Sequence, residues 1–274
     1  YFARIADSIQ RFTEEKGYDI TPVNCRGESV AGSYLRYCLS RGYDGVVVMS
    51  SSFSDPSLME LVDSGIPLVT IDYRFDHRDA VISDNRQGMR DLVRHVHALG
   101  HRSIALIHGE DSAVTRERVE SFRATCRDLQ LEVPAAYVRR AYFHDPPSSA
   151  QATRALLRLP NRPTCILYPD DFSYLGGMEE LLRQGASIPG DMSCAGYDGI
   201  ALADALYPRL TTLEQDMNGV GFHAAQMLLD AIEKPKRFAP RHILLPGRVR
   251  PGESIRDLRG MPTIGTHGRV GLKT

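Results

Sequence analysis

Residues 99–109 read Leu99-Gly100-His101-Arg102-Ser103-Ile104-Ala105-Leu106-Ile107-His108-Gly109, and this stretch decides the fold class. A helical stripe of Leu92, Val96 and Leu99 runs into Gly100, which suits the left-handed cap that ends a helix. A continuously apolar run, Ser103–His108, follows at once and exits at Gly109. Strands apolar on both faces, with amphipathic helices between them, belong to parallel sheets covered on both sides. The same alternation extends outward in both directions. Further strands are expected at Ile20–Cys25, Gly45–Ser50, Pro67–Asp72, Ala80–Ser83, Tyr137–Phe143, Thr164–Tyr168 and Met192–Tyr197. Phe2, Ile5, Ile9 and Phe12 line one intervening helix, and Val119, Phe122, Cys126 and Leu129 another. Gly17, Gly42, Gly65 and Gly185 repeat the capping signal of Gly100. About nine such strands fit two doubly wound lobes better than one very wide sheet.

Length and composition agree with that reading. The chain has 274 residues, 42% hydrophobic and 24% charged, as an ordinary soluble two-lobed protein would. Lys plus Arg total 33 against 34 Asp plus Glu, a net charge of −1, so no overall attraction for phosphate backbones or anionic lipid is expected. No run approaches the roughly 20 apolar residues of a membrane span. The cysteines Cys25, Cys38, Cys126, Cys165 and Cys194 form no Cys-x-x-Cys pair and read as buried free thiols. Pro246–Thr274 is rich in Gly and Arg, loses periodicity after Leu258 and reads as an irregular tail.

Ligands of open parallel sheets bind beyond the carboxyl ends of the strands. Those ends carry Ser50, Asp72, Asp84, Gly109, Asp145, Asp170 and Asp198. Some of these polar residues serve as helix N-caps instead, and Asp84 and Asp171 have the right position for it. Asp198 differs, because the following Gly199 lets the backbone turn and expose the carboxylate. Arg118 stands near a helix start, where a cation opposes the macrodipole; a carboxylate or a ligand hydroxyl would compensate. His97 and His101 share an i, i+4 spacing, but Gly100 breaks the helix between them and no supporting ligand follows, so no metal site is expected. Asp170-Asp171 could hold Mg²⁺, yet no phosphate-cradling loop accompanies the pair. Gly-x-Gly-x-x-Gly, Walker and Gly-x-Ser-x-Gly motifs are absent, and no nucleophile–base pairing is visible. No catalytic residue and no cofactor is expected.

Several motifs together resemble the LacI/GalR family of transcriptional regulators. They are Asp84-Asn85 with Gly88, the stretch Leu99–Ala105, Gly196-Tyr197-Asp198-Gly199, and Pro208–Leu213 with a helix beginning near Asp216. Tyr43–Val48 is similar to that family's third strand, and Arg250–Ser254 to its terminal Arg–Glu–Ser signature with Pro251-Gly252 inserted. The resemblance runs from Tyr1 to about Ile255. It implies a periplasmic-binding-protein-like core of type I: two doubly wound parallel-sheet lobes joined by three crossovers. The crossings are expected near Leu99–Arg102, Leu213–Met217 and Pro235–Pro240. The N-terminal lobe would then hold residues 1–99 and 217–234, the C-terminal lobe 100–213 and 240–255, and the tail 256–274.

The family further implies a small effector in the inter-lobe cleft, a homodimer, a cytoplasmic location and operator DNA read by an N-terminal helix-turn-helix. Arg118 stands at the start of the family's Arg-x-x-Gly-aromatic pattern, with Ser121 in place of the Gly. Asp198 matches the cleft aspartate, and Asp170 a polar position beside the motif Asp171. Tyr1-Phe2 resembles the aromatic pair opening the first helix in purine-type repressors. The expected effector contacts are therefore Tyr1, Phe2, Ser50, Asp84, Arg118, Asp145, Asp170 and Asp198. Aromatic faces, carboxylates and an Arg suit sugar hydroxyls. A nucleobase is the alternative ligand. The head and the first core strand are expected to precede Tyr1 in a longer protein, so residues 1–274 are not expected to contact operator DNA or a membrane. The alternative from the same fold is a solute-binding protein of a sugar transporter.

Overall fold

The computed structural model describes residues 1–23, 33–49, 55–234 and 239–260, and contains two sheets. The first has four parallel strands, β1 (Val46–Met49), β2 (Leu68–Ile71), β3 (Asp79–Ser83) and β9 (His242–Leu245), in the order β1-β2-β3-β9. Helices α1 (Phe2–Glu15) and α9 (Met217–Glu233) pack together and bury Ile5, Ile9, Val220 and Ala224 against Val69, Ile71 and Val81. Helices α2 (Tyr34–Arg41) and α3 (Pro56–Val62) cover Val48 and Leu68 with Cys38, Leu58, Leu61 and Val62.

The second sheet has six strands in the order β10-β8-β7-β6-β4-β5. These are β4 (Ile104–His108), β5 (Val138–Arg140), β6 (Cys165–Leu167), β7 (Ser193–Asp198), β8 (Thr211–Glu214) and the antiparallel edge strand β10 (Arg248–Arg250). Helices α6 (Pro146–Leu157) and α7 (Tyr174–Arg183) close one face with Leu156, Tyr174 and Leu181. Helices α4 (Asn85–Ala98) and α5 (Ala113–Asp128) close the other with Met89, Leu92, Phe122 and Cys126. The short α8 (Leu202–Ala205) completes the described helices.

Two expected crossings move. The Leu92/Val96 face of α4 lies on the second sheet, packed with Ile104, Leu106 and Phe122, so the chain passes between sheets at Asp84 and not at Leu99–Arg102. An apolar stripe specifies that a face is buried and not which sheet buries it. Gly88 shows how close the approach is: a Cβ there would stand 2.4 Å from both Leu213 Cδ2 and Tyr197 Oη. At the other end β9 pairs with β3, which assigns residues 242–245 to the first sheet and not to the lobe predicted for 240–255. Part of the Pro235–Pro240 stretch lies outside the described residues, and the third passage falls between Leu245 and Arg248. The second passage, at Gln215-Asp216 between β8 and α9, lies inside the predicted window.

Smaller differences follow from local chemistry. Ile20–Val23 carry no strand, and the rest of that expected element lies outside the described residues. Gly17, Gly42, Gly100 and Gly185 have positive φ, whereas Gly65 does not. The predicted tail is anchored at its start: Arg256 N donates to Ser193 Oγ at 2.9 Å and Leu258 N to the Leu99 carbonyl at 2.7 Å. In the Arg–Glu–Ser signature, Ser254 is fully buried, donating to the Cys194 carbonyl at 2.7 Å and accepting from Thr211 N at 2.8 Å. His101 reaches Thr164 Oγ1 at 2.8 Å and the Arg256 carbonyl at 3.0 Å, a structural tether and not a metal ligand. Cys38, Cys126, Cys165 and Cys194 are buried free thiols.

Candidate ligand-binding cleft

The carboxyl ends of β2, β3, β6 and β7 meet the N-terminus of α1 between the two sheets. Among the described residues four non-glycine residues have left-handed backbones, and three of them line this meeting point: Asp72 (φ 59°), His144 (φ 54°) and Asp198 (φ 102°). Such conformations cost about 1–3 kcal/mol each and cluster at ligand sites.

Arg118 is the centre of the arrangement. It lies in the second turn of α5, past the reach of the macrodipole argument, and is only 6% exposed. Its Cζ sits 3.5 Å from the Tyr197 ring centroid and 5.7 Å from that of Phe143. Nε donates to Asn85 Oδ1 at 2.8 Å and Nη1 to the Pro169 carbonyl at 3.0 Å. Asn85 is in turn held by the Ser83 carbonyl at 3.1 Å. Nη2 donates to no acceptor among the described residues. Ser121, the departure from the family's Gly, donates to the Arg86 carbonyl at 2.6 Å and ties α5 to α4.

Asp198 is 5% exposed, and Gln215 Nε2 donates to its Oδ1 at 2.6 Å. Burial raises its pKa, the nearby Arg118 charge pulls it back, and Asp170 pushes it up again; the net shift is upward. Gln215 Oε1 is buried without a hydrogen-bond partner. A ligand hydroxyl or N–H satisfies such a group directly. Beneath Arg118 lies a hollow of about 10 Å³, water-sized, walled by Met89, Leu106, Phe143 and Tyr168.

Tyr1 donates its hydroxyl to Asp72 Oδ2, while Ser83 N donates to Asp72 Oδ1 at 3.0 Å. Burial and the Asp72 charge raise the Tyr1 pKa well above its ordinary value, so the phenol stays protonated. Phe2 is 42% exposed and not part of the buried α1 face; its ring meets Tyr1 at 5.2 Å and His144 at 5.7 Å, both edge-on. Tyr1, Phe2, Arg118 and Asp198 are thus gathered at one place.

The other expected contacts are engaged differently. Asp84 caps α4, accepting from Gln87 N at 2.8 Å, and Asp145 caps α6, accepting from Ser148 N at 3.0 Å. Asp170 is 1% exposed, and its oxygens accept from Ser173 N, Ser173 Oγ and His144 N at 2.8, 2.7 and 3.0 Å. Burial pushes its pKa up, but these donors and the His144 ring outweigh it and the net shift is downward. Asp171 is no helix cap. It accepts from Thr212 Oγ1 at 2.6 Å and Ile200 N at 2.9 Å, and burial with the Asp198 charge pushes its pKa to about 8. Ser50 lies outside the described residues. Asn85, Phe143, His144, Tyr197 and Gln215 join the cleft without a sequence signal for ligand contact, although Asn85 lies in the Asp84-Asn85 motif and Tyr197 in Gly196–Gly199. Among the described residues no His, Cys, Asp and Glu cluster is arranged for a metal, and no helix is long and apolar enough to cross a membrane.

A family model described as "Periplasmic binding protein-like domain" matches residues 93–255. The HTH-type transcriptional repressor PurR of Actinobacillus pleuropneumoniae is 30% identical over 263 residues, covering 94% of this chain and 78% of the relative. The chain belongs to the LacI/GalR family of transcriptional regulators. PurR of Escherichia coli is likewise 30% identical over 94% of this chain and 76% of its own length. Among solved LacI/GalR structures, a regulator from Enterococcus faecium with bound ribose superposes with a TM-score of 0.82 at 27% identity, covering 94% of this chain and 95% of that one. The regulator CelR in complex with cellobiose gives 0.83 at 25% identity, covering 92% and 78%. A regulator from Bacillus cereus, at 24% identity and a TM-score of 0.85 over 93% and 92%, shows the fold alone. The LacI/GalR assignment makes this the core of a regulator and not an enzyme, and it supersedes the transporter alternative.

Proposed function

We propose that a sugar binds between the sheets against Arg118, Asp198, Tyr1 and Phe2, and that its binding changes the relative orientation of the lobes. Such a ligand acts by preferring one lobe arrangement over another. In the full regulator, a cytoplasmic homodimer, that change controls operator binding by a helix-turn-helix head joined before Tyr1. The observation that carries this reading is the buried Arg118–Asp198 centre, with Nη2 of the one, Oδ2 of the other and Gln215 Oε1 uncommitted. Two donors or acceptors presented side by side match vicinal hydroxyls, and Phe2 and Phe143 offer apolar ring faces. Related regulators hold ribose and cellobiose. A nucleobase is the second reading, favoured by the Tyr1-Phe2 pair and the Phe143 and His144 rings beside it.

A melting panel tests both. A ligand at 100 times its Kd stabilises the native state by about 2.7 kcal/mol, which is about 5 °C for a chain of this size. D-ribose, cellobiose and related sugars are expected to give such a shift, abolished by Asp198→Asn. A shift with hypoxanthine or guanine alone replaces the sugar with the second reading. Flat melts across the panel reject both.

A further inference from the structure

The ring of His144 bridges the cleft mouth without being used by the fold on both sides. It follows β5 in a left-handed turn held by Asp170, whose Oδ2 accepts from His144 N at 3.0 Å. The imidazole Nδ1 lies 3.5 Å from Asp170 Oδ1, while the ring packs edge-on with Phe2 of the opposite lobe, centroids 5.7 Å apart. The side chain remains 39% exposed, and Nε2 has no hydrogen-bond partner among the described residues. A carboxylate facing Nδ1 keeps a proton on that nitrogen. Nε2 is then an acceptor in the neutral ring and a donor in the imidazolium.

We propose that His144 is a specificity-determining residue, whose imidazolium donates from Nε2 to an acceptor on the effector, such as a carbonyl, ring nitrogen or ether oxygen. The inference rests on the cleft being the effector site. Asp170 raises the imidazole pKa above 6.5, burial works against it, and Asp198 adds to the rise. Asp170 is already committed to Ser173 and His144, so its carboxylate offsets the imidazolium charge and leaves Nε2 as the group the ring offers to a ligand. Acceptor-bearing ligands therefore bind with proton uptake, and affinity falls as pH rises through the imidazole pKa.

Nitrogen-detected NMR of the ligand-free protein, from pH 5 to 9, reads the ring directly. The expected result is a neutral form protonated at Nδ1, titrating above 6.5 and shifted down by Asp170→Asn. A neutral form protonated at Nε2, or a pKa at or below 6.5, overturns the proposal. Affinity for the panel ligand that stabilises the protein supplies the second readout. Wild type should weaken by up to about tenfold per pH unit above the imidazole pKa. His144→Gln, which keeps an amide donor without titrating, should lose the His144 part of the slope and keep only that of Asp198, so that His144→Gln with Asp198→Asn is flat; His144→Ala should lose affinity at pH 6. A ligand that binds with no pH dependence in wild type refutes the role of His144 and leaves the sensor reading intact. A panel without any binder rejects the proposed ligands, while the NMR result still decides the state of the ring.

Discussion

Replacing Arg118 with alanine strips four interactions from one buried point. The stack on Tyr197 at 3.5 Å goes, the Asn85 Oδ1 and Pro169 carbonyl acceptors lose their donor, and Asp198 loses its counter-charge. Removing one partner of a buried charged network costs about 3–5 kcal/mol. Asp198 relieves part of that by holding a proton more tightly, which places the cost near the lower end. At about 2 °C per kcal/mol for a chain of this length, a cost of about 3 kcal/mol lowers the melting point by about 6 °C. Arg118→Lys keeps the charge but not the planar fork or the stack, and should fall between wild type and alanine. Adding Asp198→Asn to Arg118→Ala should recover at least about 1 kcal/mol, because the stranded carboxyl is gone. Circular-dichroism melts and urea titrations at pH 7 measure all of these. An alanine variant melting within about 1 °C of wild type would refute the reasoning, since no buried network of this kind is so inexpensive to break.

Two further outcomes follow from the same centre. Asp171, with a pKa pushed to about 8, and Asp198, also raised, hold protons in the folded state that the unfolded chain releases near pH 4. Folding stability should therefore decline as pH rises toward 8 and then level off; His95, His97 and His101, shifted down by burial, oppose this only below about pH 6.5. Urea unfolding at pH 6.5 and 8.5 reads the slope, which Asp171→Asn should flatten; a rise over that window contradicts it. Gly88→Ala puts a methyl 2.4 Å from Leu213 Cδ2 and Tyr197 Oη, and should cost about 1–3 kcal/mol by overpacking. Because Tyr197 carries Arg118, the same variant should also weaken binding of any panel ligand, and unchanged affinity would show that the stack does not transmit the strain.

Periodicity and capping identified most strands of both sheets, because continuous apolar runs such as Ile104–Ile107 and Leu68–Ile71 are locally unambiguous. Three strands carry no such signal. β8 begins with two threonines, β10 alternates Arg and Val, and β9 follows a segment without periodic signal. All three are edge-side or late elements whose pairing is decided by distant partners. The destination of α4 was illegible for the same reason. In the cleft, Arg118 and Asp198 were legible through charged residues in motifs with no local use for a charge. His144 and Gln215 were not, since an ordinary loop His and a Gln before a helix become informative only when Asp170 and Asp198 are placed beside them. Asp84 and Asp145 illustrate the converse: a strand-exit carboxylate has two uses, and helix capping took both.

The three passages between sheets, at Asp84, Gln215-Asp216 and the Leu245–Arg248 turn, have a consequence for how this core can be taken apart. Each sheet is assembled from separated stretches of chain, so one protease cut at a passage leaves the halves joined by the other two. A lobe exchanged with a relative must be spliced at three junctions simultaneously, because a single crossover in the gene would mate β3 with a foreign β9. A side-chain replacement within one sheet needs none of these junctions, so single substitutions change the cleft without disturbing the pairing of β3 with β9.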